Sequence, residues 1–180
     1  ADADGMVPGE GAAAVVLKRR SDAERDRDRA HCVILGSAMA SDGRGTTVLA
    51  PNANGQERAL RRAYAAARVP PTSVGLVEAH GTGTAAGDSV ELSALARVLD
   101  EVGEGGPRRA PPWIGSVKAN VGHLSSAAGM IGLVKTALAL ERRFVFPALH
   151  SGRLEGAHPA LVDGRLALPR AGAPWRAPAG

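Results

Sequence analysis

Twice in this chain a short apolar run empties into a histidine-bearing loop, and each time a helical pattern follows. Residues 74–79 lead into His80-Gly81-Thr82-Gly83-Thr84 and a helix expected to begin at Asp88, with Leu92, Leu95, Ala96 and Leu99 on its buried face. Residues 113–117 lead into Lys118-Ala119-Asn120-Val121-Gly122-His123 and a helix expected over 125–143, whose Ala and Gly residues allow close packing. Strand, loop and helix in repetition imply parallel strands joined by crossovers, so the fold class is α/β. The strand ends at Ala79 and Val117 then share one sheet edge. Ligands bind at that edge in such sheets, so both histidine loops should open on one site.

The rest of the chain is less regular. Residues 11–17 form a small-residue apolar run that suits a buried strand, and residues 32–38 form a second such run. Between them, residues 18–29 alternate basic and acidic side chains almost without apolar ones, the pattern of a solvated turn. Residues 41–45 and 103–112 have loop chemistry. The spacing of Leu60, Ala63, Tyr64 and Ala67 predicts a helix over 54–69, stopped by Pro70-Pro71. A short strand is expected at 165–168. The chain opens Ala1-Asp2-Ala3-Asp4-Gly5 and stops at Ala177-Pro178-Ala179-Gly180, which reads as a piece of a longer polypeptide.

Composition removes several classes of function. At 180 residues with 44% hydrophobic content the chain suits one domain or a large part of one. No apolar run approaches the ~20 residues of a membrane span, so no membrane partner is expected. One cysteine, Cys32, excludes a disulfide framework and a CxxC metal site, and fits a reducing, cytoplasmic setting. It lies beside the apolar Val33, Ile34 and Leu35, where a buried small hydrophobe is expected rather than a reactive thiol. Aromatics make up 3%, too few for a base-stacking surface, and only three of the 22 basic residues are lysines, so no nucleic-acid partner is expected.

Two imidazoles and the Lys118 ammonium converging on one strand edge suit stabilisation of negative charge on a carbonyl oxygen. A neutral imidazole donates a hydrogen bond to a developing enolate, and a nearby cation biases its tautomer. Neither an HExxH pattern nor a carboxylate pair supplies a zinc site, so no metal is expected. The loop lacks the Gly-Lys-Ser/Thr of a P-loop and the spacing of GxGxxG, and Asp88 would meet any phosphate at the helix start. Asp88-Ser89-Val90-Glu91 reads as a capping box, with Asp88 and Glu91 bonding reciprocally to backbone N–H groups. Gly81, Gly83 and Gly122 are expected to serve the loops structurally.

Val77-Glu78-Ala79-His80-Gly81-Thr82-Gly83-Thr84 with Gly87-Asp88, followed by Gly115-Ser116-Val117-Lys118-Ala119-Asn120-Val121-Gly122-His123, resembles the two histidine motifs of beta-ketoacyl synthases, most closely the ketosynthase domains of modular type I polyketide synthases. Asp2-Ala3-Asp4-Gly5, Gly9-Glu10-Gly11-Ala12 and Leu49-Ala50-Pro51-Asn52 are similar to further signatures of that family, in the same order. The resemblance implies a thiolase-like fold of two similar halves. Residues 1–38 would end the N-terminal half, 39–150 would form the C-terminal half with both histidine motifs, and 151–180 would be an extension or linker.

What the resemblance implies about chemistry is decarboxylative Claisen condensation of an enzyme-bound acyl thioester with a malonyl-type extender on acyl carrier protein, in polyketide or fatty acid biosynthesis. His80 and His123 would be catalytic, supported by Lys118. Thr82 and Thr84 would contact the phosphopantetheine arm, which is carried by the acyl carrier protein, so this chain would bind no cofactor of its own. The other partners implied are the rest of the synthase polypeptide and a second copy in a homodimer. The family's nucleophilic cysteine lies upstream of the segment matching 2–5, so Cys32 would not replace it and these residues alone would be inactive. The alternative is a non-catalytic ketosynthase-like subunit or docking platform.

Overall fold

The computed structural model describes residues 3–43, 50–101, 106, 110–149 and 157–175. Asp2 and Leu49 of the quoted signatures, Gly45, most of the 103–112 loop and the terminal Ala177 to Gly180 lie outside the described residues. The elements in chain order are α1 (Arg20–Asp26), α2 (Ala53–Ala67), β1 (Leu76–Glu78), α3 (Ala85–Leu99), β2 (Trp113–Gly115), α4 (Lys118–Val121), α5 (Ala128–Arg142), β3 (Phe144–Val145), α6 (Pro159–Val162) and β4 (Ala173–Pro174). No helix among them is long and apolar enough to cross a membrane.

The two anticipated strands pair in parallel. Leu76 lies opposite Trp113, Val77 opposite Ile114 and Glu78 opposite Gly115. A parallel bridge from Trp113 to Ala167 extends this sheet, so the 165–168 stretch contributes one pairing rather than a full strand. β3 and β4 form a separate antiparallel pair. The core forms where α3 covers the sheet: Leu95, Ala96 and Leu99 meet Ile114, Ala160 and Leu166, with Leu60 and Tyr64 of α2 packed against them. Full burial of a leucine such as Leu99 or Leu166 contributes ~1.5–3 kcal/mol, so this cluster fixes β1 and β2 as a platform.

The helix read over 54–69 is α2. Asn52 caps it by accepting the Asn54 N–H at 3.0 Å, and Arg68 ends it in the left-handed region at φ 55°, ahead of the two prolines. The helix read over 125–143 is a 3-10 turn, Ser125–Ala127, running into α5.

Three expectations at the N-terminal end are corrected. Residues 11–17 are not a buried strand: Val16 is 99% exposed and Leu17 72%. A strand exists only where a neighbour completes its ladder, and no described residue pairs with this run. Residues 32–38, the second apolar run, expose Val33, Ile34 and Leu35, although Gly36 presses against Ala63 and Ala67 of α2. Cys32 is accordingly half-buried rather than buried. Residues 18–29 are solvated as expected but helical over Arg20–Asp26, where the Arg20–Glu24 and Arg25–Asp22 pairs lie one turn apart on α1.

Candidate active site

Ala79 still belongs to the sheet, donating its N–H to the Gly115 carbonyl at 2.8 Å, and His80 is the first residue beyond it. β2 ends at Gly115 and turns through Ser116 and Val117 into α4, which delivers Lys118 and then His123. Adjacent parallel strands thus release their loops side by side. The His80 and His123 rings meet edge to face, with centroids 5.4 Å apart and planes at 89°. This is the convergence on one edge that the repeated pattern implied.

The first loop is held from beneath by two carboxylates. Glu91 accepts the His80 N–H at 2.7 Å on one oxygen and the Gly81 N–H at 2.8 Å on the other. Asp88 accepts the Gly83 N–H at 3.2 Å. The expected capping box is therefore absent, and α3 begins three residues earlier than read, at Ala85. The reason lies in the backbone: the Asp88 N–H donates to the Thr84 carbonyl at 2.9 Å, so the helix already runs through Asp88 and has no use for a cap there. Both side chains turn back to loop amides that no ladder serves. Gly81 and Gly83 take φ of 47° and 75°, which glycine adopts without steric cost.

Thr84 sits at the N-cap position of α3 without capping it. Its hydroxyl instead lies 3.0 Å from that of Thr82. Each hydroxyl has two acceptor lone pairs and one proton, so the pair keeps capacity for a ligand amide after bonding to each other.

In the second loop the His123 Nδ1 accepts the Ser125 N–H at 3.0 Å. A neutral ring with an occupied Nδ1 lone pair carries its proton on Nε2, so His123 is a donor at Nε2. The Ser116 hydroxyl links the loops, accepting the Lys118 N–H at 3.3 Å and donating to the His80 carbonyl at 3.4 Å. Among the described residues no hydrogen bond or ion pair engages the Lys118 ammonium. Its charge acts on His80, whose pKa lies below the ordinary histidine value through burial first and the Lys118 cation second. His80 is therefore neutral at neutral pH. Asp88 is shifted upward, chiefly by burial, against the opposing bond from Gly83.

A strap drawn from residues 4–9 clasps both loops. Gly5 N–H donates to the Gly83 carbonyl at 3.0 Å, His123 N–H to the Val7 carbonyl at 2.7 Å, and Gly9 N–H to the His123 carbonyl at 3.1 Å. Glycine is required at position 9, where a Cβ would lie 2.2 Å from the Val121 carbonyl oxygen. The strap's role was not legible in the sequence; the glycines of the Asp4-Gly5 and Gly9-Glu10-Gly11 signatures were its only trace. Strap and loops together border an open cleft of about 1280 Å³ whose lining includes Val7, Thr82, Ser116, Lys118, Asn120 and His123. Of the residues singled out in the sequence, Thr82, Lys118 and His123 line it, whereas His80, Thr84 and Cys32 do not.

The arrangement offers a carbonyl oxygen one donor at His123 Nε2 and the Lys118 cation on the same cleft, with the neutral His80 ring set edge to face with His123. Such a cluster stabilises an enolate or oxyanion.

A family model described as beta-ketoacyl synthase, C-terminal domain, matches residues 31–152. A PKS-NRPS hybrid synthetase of Aspergillus niger is 51% identical over 155 residues, which cover 85% of this chain and 8% of that protein. A phenolphthiocerol/phthiocerol polyketide synthase polypeptide of Mycobacterium bovis is 46% identical over 186 residues, covering 98% of this chain and 10% of that one. Among solved structures, the oxazolomycin ketosynthase domain of Streptomyces albus superposes with a TM-score of 0.78 at 38% identity, over 88% of this chain and 27% of that chain. The regions similar to this chain thus lie within large synthases, of which it spans a tenth or less. The fold is the thiolase-like fold of ketosynthases, and the chain corresponds to their C-terminal part.

Proposed function

Because the chain belongs to the beta-ketoacyl synthases, we propose that it supplies the decarboxylation and condensation half of a ketosynthase site in a polyketide-type synthase. The observation that carries this reading is the edge-to-face meeting of His80 and His123 at 5.4 Å, each in the segment that follows its own strand and each fastened through its backbone.

The chemistry runs in two steps. A malonyl thioester on an acyl carrier protein loses CO2 when its Cα–carboxylate bond breaks, and the electron pair passes into an enolate whose oxygen accepts hydrogen bonds from His123 Nε2 and His80. The enolate carbon then forms a bond to the carbonyl of an acyl thioester. The C–S bond of that thioester breaks, and its thiolate leaves on a cysteine that this chain does not contain. Donors already in place need no reorganisation as charge develops. Burial first and the Lys118 cation second favour the neutral His80 ring, which donates from one nitrogen.

Thr82 and Thr84 are proposed to receive the amide groups of the phosphopantetheine arm, which arrives on the carrier protein. Their unspent hydroxyl capacity at the loop fits that group. Nothing in the mechanism asks for a metal or a resident cofactor, and the parent is proposed to work as a homodimer. These 180 residues alone are proposed to be inactive, since the half-buried Cys32 is their one cysteine and is not proposed as the nucleophile.

The test is made on the full synthase polypeptide that carries this segment. Supplied with an acyl thioester and carrier-bound malonyl, it is expected to release CO2 and form a carrier-bound β-ketoacyl thioester. Cys32→Ala is expected to leave acyl loading intact by mass spectrometry. An acyl adduct on Cys32, or no condensation product from a correctly folded and loaded polypeptide, would overturn the reading.

A further inference from the structure

Behind the histidine cleft lies an ion pair that the condensation chemistry does not touch. Glu78, the last residue of β1, has its side chain 12% exposed, and Lys135, in α5, 18%; their Oε2 and Nζ atoms are 2.7 Å apart. The other carboxylate oxygen of Glu78 accepts the Val117 N–H at 2.5 Å. That amide sits where β2 turns into α4, one residue before Lys118. A single carboxylate therefore fastens together the strand that ends two residues before His80, the turn that launches Lys118 and His123, and the helix that follows.

The packing around it is shaped to this pair. Gly132 of α5 is buried against Glu78, and a Cβ there would lie 3.1 Å from Glu78 Cγ. Gly115 faces Lys135, where a Cβ would lie 3.5 Å from Nζ. A largely buried ion pair adds little stability over an apolar pair of the same volume, yet it demands a fixed geometry of its partners. Stability is thus a poor reason for a charge on a strand whose neighbours Val77 and Ala79 pack on the core.

We propose that Glu78, held by Lys135, is a positioning residue that sets the spacing of the two histidine loops by anchoring the Val117 amide to the end of β1. The inference rests on the condensation reading of the site and concerns how its donors are aligned. A misplacement of about 1 Å in a reacting constellation costs on the order of 100-fold in rate, so the effect belongs in kcat.

The test compares two double variants of the full ketosynthase polypeptide that both lack the charges. Glu78→Gln with Lys135→Met keeps an oxygen for the Val117 N–H, whereas Glu78→Leu with Lys135→Met removes it. Thermal melting establishes that each folds, and decarboxylation of carrier-bound malonyl gives kcat and KM. The expected result is a kcat for the leucine variant about tenfold or more below that of the glutamine variant, with similar KM values. Equal kcat values, or a difference confined to KM, would overturn the proposal. If the leucine variant does not fold, Gly132→Ala, which pushes Glu78 from its seat, decides instead: a kcat lowered several-fold at constant KM supports the proposal and an unchanged kcat overturns it. His80→Ala, run alongside, separates the two levels. Unchanged decarboxylation in that variant would remove the condensation reading itself, whereas a loss there with equal double variants removes only the positioning role.

Discussion

At the residue scale the site depends on keeping His80 uncharged. Its pKa lies below the ordinary value of 6.5, with burial the first cause and the Lys118 cation the second, opposed by Glu91 and Asp88. A histidine shifted downward binds its proton less readily when folded than when unfolded. The associated stability is therefore complete above the ordinary value and declines as pH falls from there toward the lowered pKa. Activity should follow the neutral ring in the same direction. In the full ketosynthase the acid limb of the decarboxylation rate is expected to have its midpoint below the ordinary histidine value. Lys118→Met removes a cation that lowers the His80 pKa, so its acid limb is expected at higher pH than the wild type, alongside a lower plateau. A pH–rate profile of CO2 release checks both; an acid limb that stays in place in Lys118→Met would show that the ammonium does not govern the His80 proton.

At the element scale the loops are rigid because other elements hold them. Residues 4–9 donate or accept at Gly83 and on both sides of the His123 peptide unit, with Gly9 pressed on the Val121 carbonyl. Gly9→Ala forces that contact apart and is expected to destabilise the full domain by ~1–3 kcal/mol, the usual cost of overpacking, and to lower turnover with it. Gly129 is the matched control, since a Cβ there, in the first turn of α5, meets nothing within 4 Å. Its replacement by alanine is expected to be neutral or to stabilise by ~0.4–1 kcal/mol. Thermal melting of the two variants side by side checks the contrast. The repeated strand, loop and helix was legible in the sequence because short apolar runs and helical spacing report local burial. The strap and the Glu78–Lys135 pair were not, since nothing local in Val7 or Lys135 names a partner more than 50 residues away. Asp88 and Glu91 misled for a related reason: their three-residue spacing is that of a capping box, but the loop amides of His80, Gly81 and Gly83 are in greater need of acceptors.

At the scale of the whole molecule, the described surface is unevenly finished. Val16, Leu17, Val33, Ile34 and Leu35 are all between 48% and 99% exposed, and they come from the two apolar runs at 11–17 and 32–38. Their composition was read correctly, but burial needs a facing surface that sequence periodicity does not supply. Apolar patches of this kind associate in water, so the 180-residue chain made alone is expected to self-associate and to lack a sharp melting transition. Light scattering with calorimetry checks this, and a monomeric, cooperative transition would contradict it. The central claim is that His80 and His123 act on developing charge while Thr82 and Thr84 hold the incoming arm. It is tested most directly by single-turnover release of CO2 from carrier-bound malonyl in the full ketosynthase, with carrier affinity measured separately. His80→Ala and His123→Ala are each expected to lower the rate by ~10²- to 10³-fold with little change in affinity. Thr82→Val and Thr84→Val are expected to weaken affinity by about tenfold or less, as befits single hydroxyl bonds. Wild-type CO2 release in both histidine variants would contradict the account and leave a non-catalytic docking platform in its place.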